Sequence, residues 1–208
     1  MDDGKPHPTD RLFFALRPDA ATCERIAALQ QALRAEHGLR GRASRPEHFH
    51  LTLRMVGDFS GLPLALVEAL CAQAGLLHMP ALELALDRLQ SFTQRRHRNF
   101  PLVLLAGESL APLRAFQAEL DQALIAIGLA PAAGGFTPHL TLGYDDHALA
   151  PQPIAPLRWR ADEFLLIHSL IGRRSHRVLG RWSAVGVGLP HPGERSSAPP
   201  GAGSQGAN

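Results

Sequence analysis

Short apolar runs alternate with Ala-rich stretches of helical spacing along this chain. Leu12-Phe13-Phe14-Ala15-Leu16 is an apolar run closed by Pro18, which predicts a buried strand. Over residues 19–37, Ile26, Leu29 and Leu33 recur at helical spacing, and Gly38 stands just beyond as a stop signal. His48 to Val56 reads as a strand ended by Gly57-Asp58, followed by a helix at about 63–77 and a strand at 81–89. A basic segment containing Arg95, Arg96 and Arg98 leads into the buried strand Pro101 to Leu105. A helix is predicted over 109–128, a strand from His139 to Leu142, and two last strands near 159–170 and 176–187. Residues 1–10 are polar, and residues 189–208 are rich in Pro, Gly and Ser; both are expected to be disordered, leaving a folded part at 11–188.

One repeat organises these elements. The tetrapeptide His-Leu-Thr-Leu occurs at 50–53 and again 89 residues later at 139–142. The same offset sets Phe13 against Leu102 and Phe14 against Val103, with an Ala-rich helix between strand and motif in both halves. The expected fold is therefore α+β, with two pseudo-symmetric lobes, each an antiparallel sheet with helices. The lobes are placed at about 11–90 with the closing strands and at about 100–160, with the active site in the central groove.

Alternation along a strand puts His50 and Thr52 on one face and Leu51 and Leu53 on the other; His139 and Thr141 stand against Leu140 and Leu142 in the same way. With the leucines buried in each lobe, two imidazoles and two hydroxyls face one another across the groove. This set suits in-line attack on a phosphodiester. A neutral imidazole takes a proton from the attacking oxygen, and a protonated one gives a proton to the leaving oxygen. The hydroxyls donate hydrogen bonds to the non-bridging oxygens, and the scheme requires no metal.

The segments EHFHLTLRMVGD and FTPHLTLGY resemble the two signature motifs of the 2H phosphoesterase superfamily, in particular the 2′,5′ RNA ligase-like proteins, or RNA 2′,3′-cyclic phosphodiesterases. RLFFAL and EFLLIHSLIGRRSHRVLGRW are similar to the same branch, so the resemblance covers about residues 11–187. It implies that His50 is the proton donor, His139 the proton acceptor, and Thr52 and Thr141 the phosphate-binding pair. The implied reaction is hydrolysis of a 2′,3′-cyclic phosphate to a 2′-phosphate, with reversible 2′,5′ joining of RNA ends as a further activity. The chain departs from the family pattern in two places. No arginine follows the second motif, which continues Gly143-Tyr144-Asp145-Asp146, and His176 stands about where a tyrosine is common.

Charge adds little, because the net charge is +2 and Lys5 is the single lysine among 21 basic residues. Local clusters matter more for phosphate. Arg173 and Arg174, with Arg177 nearby, are candidate RNA contacts, as are Arg95, Arg96 and Arg98. Tyr144, Phe13 or Phe14 could stack on a base, although the two phenylalanines should point to opposite faces. His48 and His50 form a His-x-His pair on one strand face, which leaves a metal-dependent hydrolase as an alternative; a non-catalytic RNA- or nucleotide-binding module is another. His168 lies in an apolar strand as a hydrogen-bonded interior histidine, and Cys23 and Cys71 read as buried thiols. No stretch is apolar enough to span a membrane, and the first residues do not resemble a signal peptide. The chain is expected to be a cytosolic, cofactor-free monomer acting on RNA ends or small cyclic nucleotides.

Overall fold

A computed structural model describes residues 7–93, 99–106, 110–132, 134–173 and 175–185. The first half begins with β1 (Asp10–Leu16), α1 (Ala20–Glu36), the short β2 (Arg42–Ala43), a 3₁₀ turn at Pro46–His48, β3 (Leu51–Phe59) and α2 (Leu64–Ala74). The remaining elements are β4 (Leu82–Ser91), β5 (Phe100–Ala106), α3 (Ala111–Ala126), β6 (His139–Asp145), β7 (Gln152–Ala161), β8 (Glu163–Leu170) and β9 (Ser175–Ser183). Helix α1 starts where Asp19 caps it, its carboxylate accepting from the Thr22 N–H at 2.8 Å. Among the described residues no helix is long and apolar enough to cross a membrane.

The architecture is α+β and two-lobed. The strands run β7-β4-β5-β6-β3-β1-β8-β9, and the named pairs are antiparallel. The two expected sheets are thus joined into one, through a single central pairing of Leu51 with Leu140. Both residues are the first leucine of their motif, so the pseudo-two-fold passes between them. β4, expected to close the first lobe near residue 90, pairs instead with β5 and β7 of the second half. The first half is closed by β8 and β9.

One face of the sheet carries the main core. Leu12, Phe14 and Leu16 of β1, the motif leucines, and Leu102 and Leu104 of β5 pack there with Ile26 and Leu33 of α1, Leu70 of α2 and Phe116 of α3. The opposite face carries a smaller cluster of Phe13, Ala15, Leu165 and Ile167, with Val178 against it. Phe13 and Phe14 therefore do face opposite ways.

Three expectations change. First, the offset of 89 residues holds for the motif strands and fails by one residue for the strands beside them. Ala15 pairs with Thr52 and Val103 with Thr141, so β1 and β5 are related by 88 residues, and Phe13 corresponds to Pro101 rather than Leu102. A slip of one residue exchanges the faces of a strand, which is why Leu102 lies in the core while Phe13 lies opposite. Second, Leu53 and Leu142 are both skipped in their ladders, a bulge repeated at the same place in each half. Third, the strand expected at 159–170 is two strands broken at Asp162, one at an edge of the sheet and the other second from the far edge. β7 begins early, at Gln152, despite Pro153 and Pro156, because it is an edge strand and pairs only with β4. A one-residue link between β7 and β8 requires the sheet to arch until its two halves meet at that corner.

Candidate active site

The site forms where the two motif strands touch. With Leu51 opposite Leu140, continuation of the antiparallel register sets His50 across from Thr141 and Thr52 across from His139. The two histidines are then diagonal neighbours on one face, about 7–8 Å apart by general sheet geometry. The motif leucines behind them are at most 2% exposed, while His50, Thr52, His139 and Thr141 are half-buried. The sheet thus turns one side of each motif into core and the other into an open face.

Both imidazoles are held in the same way. His50 Nδ1 lies 2.7 Å from the carbonyl of His48, and His139 Nδ1 lies 2.8 Å from the carbonyl of Thr137. A carbonyl only accepts, so in each ring Nδ1 carries the hydrogen and Nε2 is left with the lone pair in the neutral form. Each ring is also backed by a phenylalanine. Phe13 is tilted against His50 at 4.9 Å between centroids, and Phe92 meets His139 edge-on at 5.0 Å.

The first-half histidine has further neighbours. His176 of β9 meets His50 edge-on at 5.5 Å and lies against His48 at 4.3 Å. Burial pushes the His50 imidazole down to about 4; the charges of His139, Arg17 and His48 push the same way, against the bond to the His48 carbonyl. Burial takes His176 down to about 3, assisted by the charges of His50, His48 and Arg17. Both rings are therefore neutral at pH 7. Beside it, a groove of about 500 Å³ runs between Arg17, Cys23, Glu47, Leu165 and Arg181.

The bulges decide which residues join this face. Arg54, four residues after His50, would share its face in an unbroken strand. The bulge at Leu53 turns it to the helix side, where its Nε lies 2.5 Å from Asp121 of α3. In β6 the bulge at Leu142 brings Tyr144, opposite Pro101, back to the face that carries Thr141. The Arg42 guanidinium lies 5.1 Å over its ring. Gly143 is required there because a Cβ would stand 2.6 Å from the Arg42 carbonyl oxygen.

Other sequence candidates fall elsewhere. Arg173 is exposed in the turn after β8, with its backbone N–H donated to the Leu170 carbonyl, and Arg177 is exposed on β9. Arg174, Arg95, Arg96 and Arg98 lie outside the described residues. His48 and His50 do not share a strand: His48 ends the 3₁₀ turn begun by Pro46, and His50 immediately precedes β3, which starts at Leu51. Among the described residues no group of three or more His, Cys, Asp or Glu side chains could hold a metal ion. His168 is buried and its Nε2 lies 2.6 Å from Asp10 Oδ1, as an interior histidine should. Cys23 and Cys71 are free and half-buried. Phe92 and Arg17 were not singled out from sequence. Extending the alternation of Phe13 and Ala15 by one step would have found Arg17, whereas nothing local marks Phe92.

Comparison with known proteins agrees with this fold. The family model described as the 2′-5′ RNA ligase superfamily matches residues 63–170, and that for LigT-like phosphoesterases matches residues 16–103. Escherichia coli LigT complexed with 3′-AMP is 28% identical over 86% of this chain and 99% of that one, with a TM-score of 0.62. The apo form of the same protein gives 28% identity and a TM-score of 0.61 over the same shares. TT0787 of Thermus thermophilus, at 19% identity, covers 86% of this chain and 100% of its own with a TM-score of 0.65, a likeness of fold alone. No curated protein sequence matches this chain significantly.

Proposed function

The chain belongs to the 2′-5′ RNA ligase superfamily, and on that premise we propose that it hydrolyses 2′,3′-cyclic phosphate ends of RNA to 2′-phosphates by paired-imidazole catalysis without a metal. The observation that carries this reading is the pairing of Leu51 with Leu140, which sets two identically tethered imidazoles and two hydroxyls on one face. That E. coli LigT has been crystallised with 3′-AMP supports a nucleotide in the cleft.

In the proposed reaction, neutral His139 accepts a proton from water at Nε2 while the water oxygen attacks phosphorus. His50, protonated at Nε2, gives that proton to the departing 3′ oxygen as the P–O3′ bond breaks, leaving the phosphate on O2′. Thr52 and Thr141 donate to the non-bridging oxygens, where negative charge gathers. Burial makes His50 a strong acid once protonated, and the anionic phosphate supplies the charge that favours its protonation. With a 5′ hydroxyl in place of water as the nucleophile, the same groups would open the cyclic phosphate to join ends through a 2′,5′ linkage, and the reverse step would cleave that linkage.

The deciding experiment is hydrolysis of an RNA ending in a 2′,3′-cyclic phosphate in excess EDTA, with the product's phosphate position determined. A 2′-phosphate is expected. Absence of turnover would favour a binding module, and turnover restored only by a divalent ion would favour a metal-dependent hydrolase using His48 and His50.

A further inference from the structure

The proposed reaction gathers negative charge on phosphate, yet the groups assigned to it offer little positive charge. The threonines are neutral donors, and desolvation favours the neutral form of His50 and His176. The segment after the second motif, Gly143-Tyr144-Asp145-Asp146, brings carboxylates and no cation. Asp145 is itself turned to the backbone N–H groups of Gly41 and His147.

The arginines near the sheet are mostly committed. Arg11 is paired with Asp58, Arg54 with Asp121, Arg160 with Asp162 and Arg181 with Glu163, and Arg42 lies over Tyr144. Arg17 differs. Leu16 pairs with Leu51, so continuation of that antiparallel register puts Arg17 directly across from His50. One guanidinium N–H group is donated to the Glu47 carbonyl, which ties the side chain beside the motif. No carboxylate forms an ion pair with it among the described residues, and a guanidinium carries five N–H donors. Its charge reaches both His50 and His176.

We propose that Arg17 is the cation that binds the substrate phosphate in this chain, entering from the strand beside the first motif. The inference rests on the phosphodiesterase reading for its substrate, but its binding step is separable. The groove that opens at Arg17 then takes the nucleoside carried by that phosphate. Its walls include Ala27 and Leu165, and the carboxylates of Glu24 and Glu47 accept from ribose hydroxyls or base amino groups rather than welcoming a second phosphate.

The test measures binding of inorganic phosphate by calorimetry and turnover of cyclic-phosphate-ended RNA for the wild type, Arg17→Gln, Arg17→Lys and Arg160→Gln, with thermal melts for each. Arg17→Gln should weaken phosphate binding about 10–100-fold, the scale of one lost charge-assisted contact, and raise KM more than it lowers kcat. Arg17→Lys should recover part of the loss, and Arg160→Gln, which removes a paired arginine on β7 away from the groove, should stay within about twofold of wild type. If folded Arg17→Gln binds phosphate as the wild type does, or the wild type binds none, the inference is overturned. If Arg17→Gln loses phosphate binding but the wild type turns over no cyclic phosphate, Arg17 stands as the phosphate cation and the phosphodiesterase reading fails.

Discussion

His176 meets His50 edge-on with ring centroids 5.5 Å apart, and desolvation disfavours the charged form of both half-buried imidazoles. Each binds fewer protons in the fold than in the unfolded chain between pH 6.5 and its own lowered value. Their contribution to stability is therefore complete above about 6.5. It falls as the pH drops towards about 4 for His50 and about 3 for His176. The melting temperature should drop on acidification from pH 7 to 4, and His176→Gln should flatten that drop. An unchanged slope in the variant would mean that His176 is not held neutral.

Ring titration followed by NMR should find His50 near 4 in the empty protein. Saturation with a nucleotide phosphate should move it upward, since an anion beside an imidazole favours its protonated form. A free-state value near 6.5 would contradict the burial described above.

His50→Ala and His139→Ala should each lower kcat on cyclic-phosphate-ended RNA by about 10²–10⁴, the usual worth of a positioned acid or base. Thr52→Ala and Thr141→Ala should each lose about 10–10³, as removal of a hydrogen-bond donor from a developing oxyanion does. Circular dichroism should show all four variants folded, because these side chains lie outside the main core. A full-rate His139→Ala enzyme would rule out the paired mechanism.

Asp10 and His168 join β1 to β8 by a 2.6 Å contact in a buried setting. The Thr9 hydroxyl hydrogen bond is the main cause that holds the Asp10 carboxyl below its usual range, with His168 and the Gly61 N–H adding to it against burial. The bond's contribution is present above the ordinary aspartate range near 4 and is lost as pH falls through the lowered value. Asp10→Asn should lower the melting temperature at pH 7 while leaving kcat within about twofold, since no part of the pair reaches the proposed reacting groups. Thermal melts and turnover on the same preparation check both halves of this statement.

Gly143→Ala tests the β2–β6 crossing. The added methyl would stand 2.6 Å from the Arg42 carbonyl oxygen and 3.2 Å from Ala43 Cα, both backbone atoms with little freedom to retreat. A destabilisation of about 1–3 kcal/mol is expected, the common cost of overpacking. Denaturant unfolding would reveal it, and a neutral outcome would show that β2 is not held against β6.

The helices and the motif strands were legible because their signals are local. Ile26 and Leu33 mark α1 by spacing, and the alternation of His50, Leu51, Thr52 and Leu53 was enough to assign faces. What escaped depends on the ladder between strands. The bulges at Leu53 and Leu142 are visible only as residues skipped by a partner, so the turning of Arg54 away from the site could not be read from the chain. The one-residue error in relating β1 to β5 has the same origin. β7 accommodates Pro153 and Pro156 because it lies at the edge of the sheet, a position the chain's own pattern does not reveal. His48 was misplaced because a Pro46-led 3₁₀ turn ends at it and shifts the strand start to Leu51.

The wide separation in sequence between β1 and β8 bears on how the chain is made. At a ribosome, β1 emerges with its edge for β8 unfilled, and residues 163–183 follow only after the whole second half. At the usual 5–20 residues per second that interval is about 10–30 s. Throughout it, Phe13 and Ala15 lack the Leu165 and Ile167 that cover them in the finished protein. The nascent first half is thus a sticky strand edge awaiting its last partner, and the emergence of β8, rather than the completion of either repeat, is the event that lets the molecule close.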